Sequence, residues 1–129
     1  MNRWRGGEAA QRFAERKRRQ DEAPRLITVI PALESLRLDV EERRAGFALA
    51  EATHIRRIVV EHAPALFELT CQDTSCNDGG HDLTAVVMRA LRGREAKFQG
   101  EDVCRGRVGT AAVECGRVLR FVGTATYRA

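Results

Sequence analysis

Four cysteines, all in the second half of the chain, constrain this sequence more than any other feature. They form two pairs along the chain: Cys71 and Cys76 are separated by four residues, and Cys104 and Cys115 by ten. The first spacing is typical of common zinc half-sites, whereas the second is wider than usual. Four thiolates fill the tetrahedral shell of a Zn²⁺ ion and leave no open position. The pattern therefore predicts a four-cysteine site with zinc as the cofactor.

Two other interpretations of the cysteines stay open in the sequence. The thiols are compatible with ordinary buried groups, because free cysteine is among the most buried residue types. They are also compatible with disulfides, which need an oxidising compartment. No apolar segment follows the positively charged N-terminus, so no secretory signal is evident, and this favours a reducing, cytoplasmic location and metal binding. The predominance of arginine over lysine and the abundance of alanine favour a bacterial source.

Over residues 67–121 the arrangement resembles the metal sites of zinc-ribbon domains. It has two cysteine pairs, the second beside a strand, and glycines next to candidate ligands, such as Gly116 after Cys115. The resemblance is one of site type, and it implies a structural metal. The ten-residue second spacing and a predicted helix between the pairs depart from the ribbon pattern.

His81 adds a further candidate to the metal site. It is a possible fourth ligand, a possible donor from its ring N–H to a thiolate, or an exposed loop residue. With Asp78 and Asp82 it also offers acid–base groups for a zinc-dependent hydrolase, which would need an open position on the metal. Because the four cysteines already fill a shell, we expect a non-enzymatic protein without catalytic residues.

The excess positive charge of the chain lies at its N-terminus. The 129-residue chain has a net charge of +4; residues 1–25 hold eight basic and four acidic groups, and the remainder is balanced. Residues 8–23 contain no glycine or proline and have only a thin apolar stripe, which predicts a solvated helix. We therefore divide the chain into a basic helical arm, residues 1–24, and an α+β zinc-binding domain, residues 25–129.

The basic arm predicts a contact with nucleic acid, since clustered basic side chains neutralise phosphates. The candidate nucleic-acid-binding residues are Arg12, Arg16, Lys17, Arg18 and Arg19. In the alternative interpretation the arginines pair with acids one helical turn away, as Glu15 and Arg19 are spaced to do. A protein-protein interaction or assembly module with a structural zinc site is the other candidate function. The sequence has no apolar stretch of membrane-spanning length, so no membrane contact is expected.

Alternating apolar and polar residues predict the strands of the domain. The alternation is clearest over residues 36–41 and 117–128, and weaker over 54–62, 65–69 and 96–104. Between them, LITVI at residues 26–30 is a short β-branched run ended by proline.

A single helix is predicted over residues 83–92, with Asp82 as its cap and Gly93 as its stop. The fold prediction is therefore α+β: a small antiparallel sheet of five or six strands with one packed helix, a zinc-ribbon-like metal site and an N-terminal helical arm.

Overall fold

The computed structural model describes residues 3–73, 76–77, 79–108 and 113–129, and all their side chains except those of residues 3–9 and 77. The helices are α1 (Arg3–Glu22), α2 (Leu26–Val29) and α3 (Thr84–Arg92). The strands are β1 (Leu33–Arg43), β2 (Ala52–Ile58), β3 (Glu68–Leu69), β4 (Cys76–Asn77), β5 (His81–Asp82), β6 (Lys97–Val103), β7 (Arg107–Val108), β8 (Val113–Glu114) and β9 (Val118–Tyr127). No helix in these ranges is both long and apolar enough to cross a bilayer.

Strands β1 and β9 form the centre of the main sheet, which has the order β2-β1-β9-β6 and is antiparallel throughout. The first long strand of the chain therefore pairs with the last, with Leu36 opposite Ala125 and Glu42 opposite Leu119. The short strands form two further sheets, β3-β5 and β4-β7-β8. The predicted α+β fold with an antiparallel sheet is confirmed, but the main sheet has four strands rather than five or six.

One face of the main sheet carries the hydrophobic core. From Leu36 to Glu42 every second residue of β1 is buried, including Leu38 and Val40, and the same alternation buries Leu119 and Phe121 in β9. Helix α3 packs on this face with its four buried side chains, Val87, Met88, Ala90 and Leu91. The opposite face is polar and open, as is usual for an antiparallel sheet with one solvated side. The alternation predicted for these two strands is confirmed.

The LITVI run forms the short helix α2 rather than an extended strand, so the domain has a second helix that the sequence did not predict. Leu26 and Ile30 are both buried, and the Ile30 N–H donates to the Leu26 carbonyl over 2.8 Å. Ile27, between them, is exposed. The two buried residues are four apart, which is the spacing of one helical face, and burial of that pair decides the conformation over the β-branched preference.

Helix α3 corresponds to the predicted helix, and its two ends differ in detail from the prediction. At the start, the Thr84 N–H donates to the Asp82 side chain over 3.0 Å, so Asp82 satisfies one of the helix's unpaired donors. At the end, Gly93 has a φ of −81°, and Arg94 takes the left-handed conformation with a φ of 54°. The Arg94 side chain lies over the Tyr127 ring and donates to the Arg128 carbonyl over 2.7 Å. These contacts offset the cost of a non-glycine residue in that conformation.

Two phenylalanines on the core face each cover a glycine in the neighbouring strand. Phe98 lies opposite Gly123, and Phe121 lies opposite Gly100. The two rings meet edge to face, with centroids 6.3 Å apart. A methyl group at Gly123 would overlap the Phe98 ring, and one at Gly100 would lie 2.6 Å from the Phe121 ring. The glycines therefore leave space for the two rings, which pack across the β6-β9 pair.

We expect Gly123→Ala to lower the free energy of unfolding by about 1–3 kcal/mol, because the new methyl group displaces the Phe98 ring. Urea denaturation followed by circular dichroism measures the change. Gly93→Ala is the matched control: its φ is negative and its added methyl would lie 3.5 Å from the nearest atom. The control should raise the free energy of unfolding by about 0.4–1 kcal/mol, because alanine restricts the unfolded chain; equal losses in both variants would contradict the packing explanation.

Candidate metal centre

The four predicted cysteines meet at one point. The Sγ atoms of Cys71, Cys76, Cys104 and Cys115 all lie within 4.8 Å of one another. Two separations of 3.7 Å join Cys71 to Cys115 and Cys76 to Cys104. Each close pair therefore takes one sulfur from each half of the sequence pattern. A tetrahedral metal with sulfur ligands at ~2.3 Å needs sulfurs ~3.8 Å apart, so the arrangement fits a four-thiolate metal site.

Neither of the other two interpretations of the cysteines matches this arrangement. All four thiols are free, so the described structure contains no disulfide between them. Only Cys104 is buried; the other three are half-buried at the edge of the domain. Four thiols that converge at a half-exposed site are not apolar filling of the core.

Short strands and loops position the sulfurs. Cys71 follows β3, Cys76 opens β4, Cys104 follows β6, and Cys115 follows β8. Backbone hydrogen bonds join the last two segments: the Cys115 N–H donates to the Gly106 carbonyl, and the Cys104 N–H donates to the Arg117 carbonyl, both over 2.8 Å. The second half of the site is thus built as an extension of the β6-β9 pair.

Two glycines allow the loops to close around the sulfurs. A methyl group at Gly106 would lie 2.5 Å from the Cys76 sulfur, and one at Gly79 would lie 2.6 Å from the Cys104 sulfur. The N–H groups of Gly80 and Gly106 point at the Cys104 sulfur, at 3.3 and 3.4 Å. Gly116, the glycine that follows Cys115, has a φ of 64°, and its N–H donates to the Cys104 carbonyl rather than to a sulfur.

These surroundings give the thiols different acidities. Burial raises the pKa of Cys71 to about 12, although a backbone hydrogen bond from Asp73 acts against it. Burial also raises the pKa of Cys76, as do its hydrogen bonds with Cys104 and Cys115. Burial acts to raise the pKa of Cys104 too, but the N–H groups of Gly106 and Gly80 outweigh it, so that pKa is lowered. Cys104 is therefore the most readily ionised of these three thiols.

His81 lies outside the sulfur cluster, and of its three interpretations the exposed loop residue is wrong. The residue is 2% exposed and forms part of β5. Its Nδ1 lies 3.0 Å from the Asp102 carboxylate, and its Nε2 lies 3.5 Å from that of Glu42. Both ring nitrogens therefore face carboxylates rather than a thiolate. Of the other acid–base candidates, Asp82 is exposed and bonds the start of α3, while Asp78 falls outside the described residues.

The basic side chains of α1 divide between two sides of the helix. Arg12, Arg16 and Arg19 line a cleft of about 390 Å³ between α1 and the Gly79–Asp82 segment beside the cysteines. Arg19 forms a bidentate ion pair with Glu68: its Nε and Nη2 donate to the two carboxylate oxygens over 3.1 and 3.0 Å. This pair raises the pKa of Arg19. Lys17 and Arg18 are exposed. The structure thus pairs Arg19 with a residue of the domain rather than with Glu15, the partner suggested by helical spacing.

Glu42 and Arg117 are buried charged residues near this centre that the sequence analysis did not single out. The signal for Glu42 lies in β1, where its position shares the parity of Leu36, Leu38 and Val40. A charged residue at a position that continues a buried apolar alternation is expected to be buried, and a buried charge needs a partner. Arg117 carries the same signal, because its position shares the parity of the buried Leu119 and Phe121.

Comparison of the chain with protein-family models, with curated proteins and with solved structures gave no match. The interpretation of the centre therefore depends on its own geometry.

We expect uptake of a divalent metal at pH 7 to release protons from at least Cys71 and Cys76, because their raised pKa values keep these thiols protonated without metal. Release of about two protons would tighten the apparent affinity about 100-fold for each unit rise in pH. Calorimetric titration with Zn²⁺ in buffers of different ionisation enthalpy measures the proton count. A heat of binding independent of the buffer would contradict this assignment of the ligands.

Proposed function

We propose that this protein is a small, non-enzymatic zinc protein in which the metal holds the fold together and the basic N-terminal helix contacts nucleic acid. Convergence of four sulfurs within 4.8 Å is the observation that carries the metal part of the proposal. Zinc is favoured over other metals by an all-thiolate tetrahedral donor set. Oxygen-preferring ions such as Mg²⁺ and Ca²⁺ find no suitable ligands in such a set.

A structural rather than catalytic metal follows from the number and environment of the ligands. Four thiolates occupy every position of a tetrahedral ion, so no place is left for a reactive water. His81, the candidate for an open three-ligand site, has both ring nitrogens directed at Asp102 and Glu42. The N–H donors at the Cys104 sulfur stabilise thiolate charge, as groups around a closed site do. A zinc-dependent hydrolase is therefore the less favoured function.

The nucleic-acid part of the proposal is based on the charges of α1. Lys17 and Arg18 project from the exposed side of the helix, where a phosphate backbone meets no obstruction from the domain. Arg19 keeps 48% of its side-chain surface exposed while it is paired with Glu68. Exposed ion pairs are weak, typically ~0–1 kcal/mol, so a phosphate can compete with Glu68 for this arginine.

An assembly or protein-interaction module is the second candidate function, and a loop of the domain favours it. Phe47 and Leu49, in the connection between β1 and β2, are 61% and 83% exposed. Ala45 in the same loop packs against Gly116, beside Cys115. Exposed large apolar side chains next to a stiff metal centre are suited to contact with another protein.

Protein purified without added zinc should contain about one zinc ion per chain by elemental analysis, because the four-thiolate site fits that ion. Cys104→Ser should abolish retention of zinc and the cooperative thermal transition, since the loops around the sulfurs have little apolar core of their own. A metal-free chain that melts cooperatively with its thiols reduced would overturn the proposal of a structural metal.

The double variant Lys17→Ala/Arg18→Ala should weaken binding to short single-stranded DNA and RNA oligonucleotides. Each lost phosphate contact lowers the slope of log affinity against log salt by about 0.7, so we expect a decrease of about 1.4. Fluorescence anisotropy across a salt series measures the slope. The matched control is Arg89→Ala/Arg92→Ala on the exposed side of α3, which should leave the slope unchanged. If neither parent nor variant binds at low salt, the nucleic-acid role is wrong and the assembly module takes its place.

A further inference from the structure

Glu42 is a charged residue inside the hydrophobic side of the main sheet. It lies in β1, on the same face as Leu38 and Val40, and is only 1% exposed. Its neighbour Glu41 points to the open face and is exposed. A carboxylate removed from water carries a large desolvation cost unless other charges compensate it. Its position therefore calls for an explanation that packing alone does not give.

Two cationic or potentially cationic groups face the Glu42 carboxylate. The Nε2 of His81 and the Nε of Arg117 each lie 3.5 Å from its Oε1. Neither separation is a hydrogen bond, and within the described residues both Glu42 oxygens, His81 Nε2 and Arg117 Nε have no hydrogen-bond partner. The four buried atoms that lack a partner are thus gathered around one point, between three different segments of the chain.

From this point a series of contacts between ionisable groups continues outward. His81 Nδ1 lies 3.0 Å from Asp102, and the Arg117 Nη1 donates to Glu51 over 2.9 Å. Glu51 in turn forms an ion pair with Arg44 at the surface, with 2.7 Å between the Arg44 Nε and the Glu51 Oε1. Acidic residues therefore alternate with basic or potentially basic ones from Asp102 to Arg44. Alternation of this kind compensates the charge of Glu42, whereas one neighbouring charge by itself would not.

Three of these ionisable groups belong to a segment that carries a cysteine or pair with such a segment. Asp102 stands two residues before Cys104, and Arg117 stands two residues after Cys115. His81 pairs in the β3-β5 ladder with Leu69, two residues before Cys71.

The same segments also contact the sulfur cluster directly. The Gly80 N–H, next to His81, donates to the Cys104 sulfur. The Arg117 carbonyl accepts from the Cys104 N–H. The segments that present Cys71, Cys104 and Cys115 are therefore tied to one carboxylate in β1.

We propose that Glu42 is the positioning residue of the metal centre: through His81 and Arg117 its carboxylate fixes the relative placement of the cysteine-bearing segments. This inference rests on the proposed structural zinc. It assigns part of the metal affinity to a side chain that is not a ligand and lies on the far side of the ligand loops. Groups that contact metal ligands directly contribute ~10–100-fold to affinity in characterised sites, and Glu42 acts one contact further out, so its share is the lower end of that range.

The test compares Glu42→Gln with Glu41→Gln, which removes the same charge from the next residue on the open face. Zinc affinity is measured by competition with a chelator, and Co²⁺ substitution reports the geometry through its visible absorption bands. We expect Glu42→Gln to lose zinc affinity by about 10-fold and to show shifted Co²⁺ bands. Glu41→Gln should match the parent in both measurements. Parent-like affinity and bands in Glu42→Gln would overturn the inference.

Val40→Ala is the control for an effect of stability alone. It removes buried volume from the same strand and face and leaves every ionisable group in place. Below its melting temperature this variant should keep the parent Co²⁺ bands; bands shifted as in Glu42→Gln would assign the effect to stability and overturn the inference. If Glu42→Gln does not fold even with excess zinc, Glu42→Asp keeps the charge but shortens its reach. Its zinc affinity should then fall below that of the parent, and an unchanged affinity would overturn the inference.

The same experiment separates this inference from the proposed function. A parent protein that binds no zinc would refute the structural-zinc proposal itself. A parent that binds zinc, beside a Glu42→Gln variant that binds it equally well with the same bands, would refute only the role of Glu42.

Discussion

Pairing of β1 with β9 is the contact on which the other features of the molecule depend. It joins the first long strand of the domain to the last, so it closes the sheet around a core made of both chain halves. It sets Glu42 opposite Leu119 and so brings Arg117, two residues earlier, to the carboxylate. Because β6 pairs with the other edge of β9, Cys104 is placed beside the Arg117 carbonyl. The register of two strands therefore determines where the sulfurs and the buried charges can meet.

The domain is held together differently at its two ends. Between the sheet and α3, stability comes from burial of branched aliphatic side chains and the Phe98–Phe121 contact. Around the cysteines the strands are only two residues long, and glycines replace side chains where the loops approach the sulfurs. Such a region has little apolar area to bury, and in small metal-stabilised domains the metal supplies the missing free energy. The buried charges around Glu42 lie between these two ends and connect them.

Much of the fold followed from periodicity, because a residue's side of a strand or helix depends only on local spacing. The alternation in β1 and β9 and the span of α3 were predicted on that basis. The helix in the LITVI segment was not predicted, because Leu26 and Ile30 are buried by contacts with distant parts of the chain. One of these contacts is the Ala63 carbonyl, which accepts from the Leu26 N–H. His81 was misplaced for a similar reason: a polar residue after two glycines is typical of an exposed loop, and its carboxylate partners lie 21 and 39 residues away in sequence.

The sequence by itself determined which four cysteines are the candidate metal ligands, the alternation that builds the central strands, and the concentration of positive charge in α1. These properties follow from residue type and short-range spacing, which folding does not alter. Only the tertiary structure decided that the four sulfurs meet within 4.8 Å of one another. It alone decided that Glu42, His81 and Arg117 share one buried site and that Arg19 binds Glu68. Such contacts depend on strand register and loop closure over tens of residues, and no local pattern in the chain encodes them.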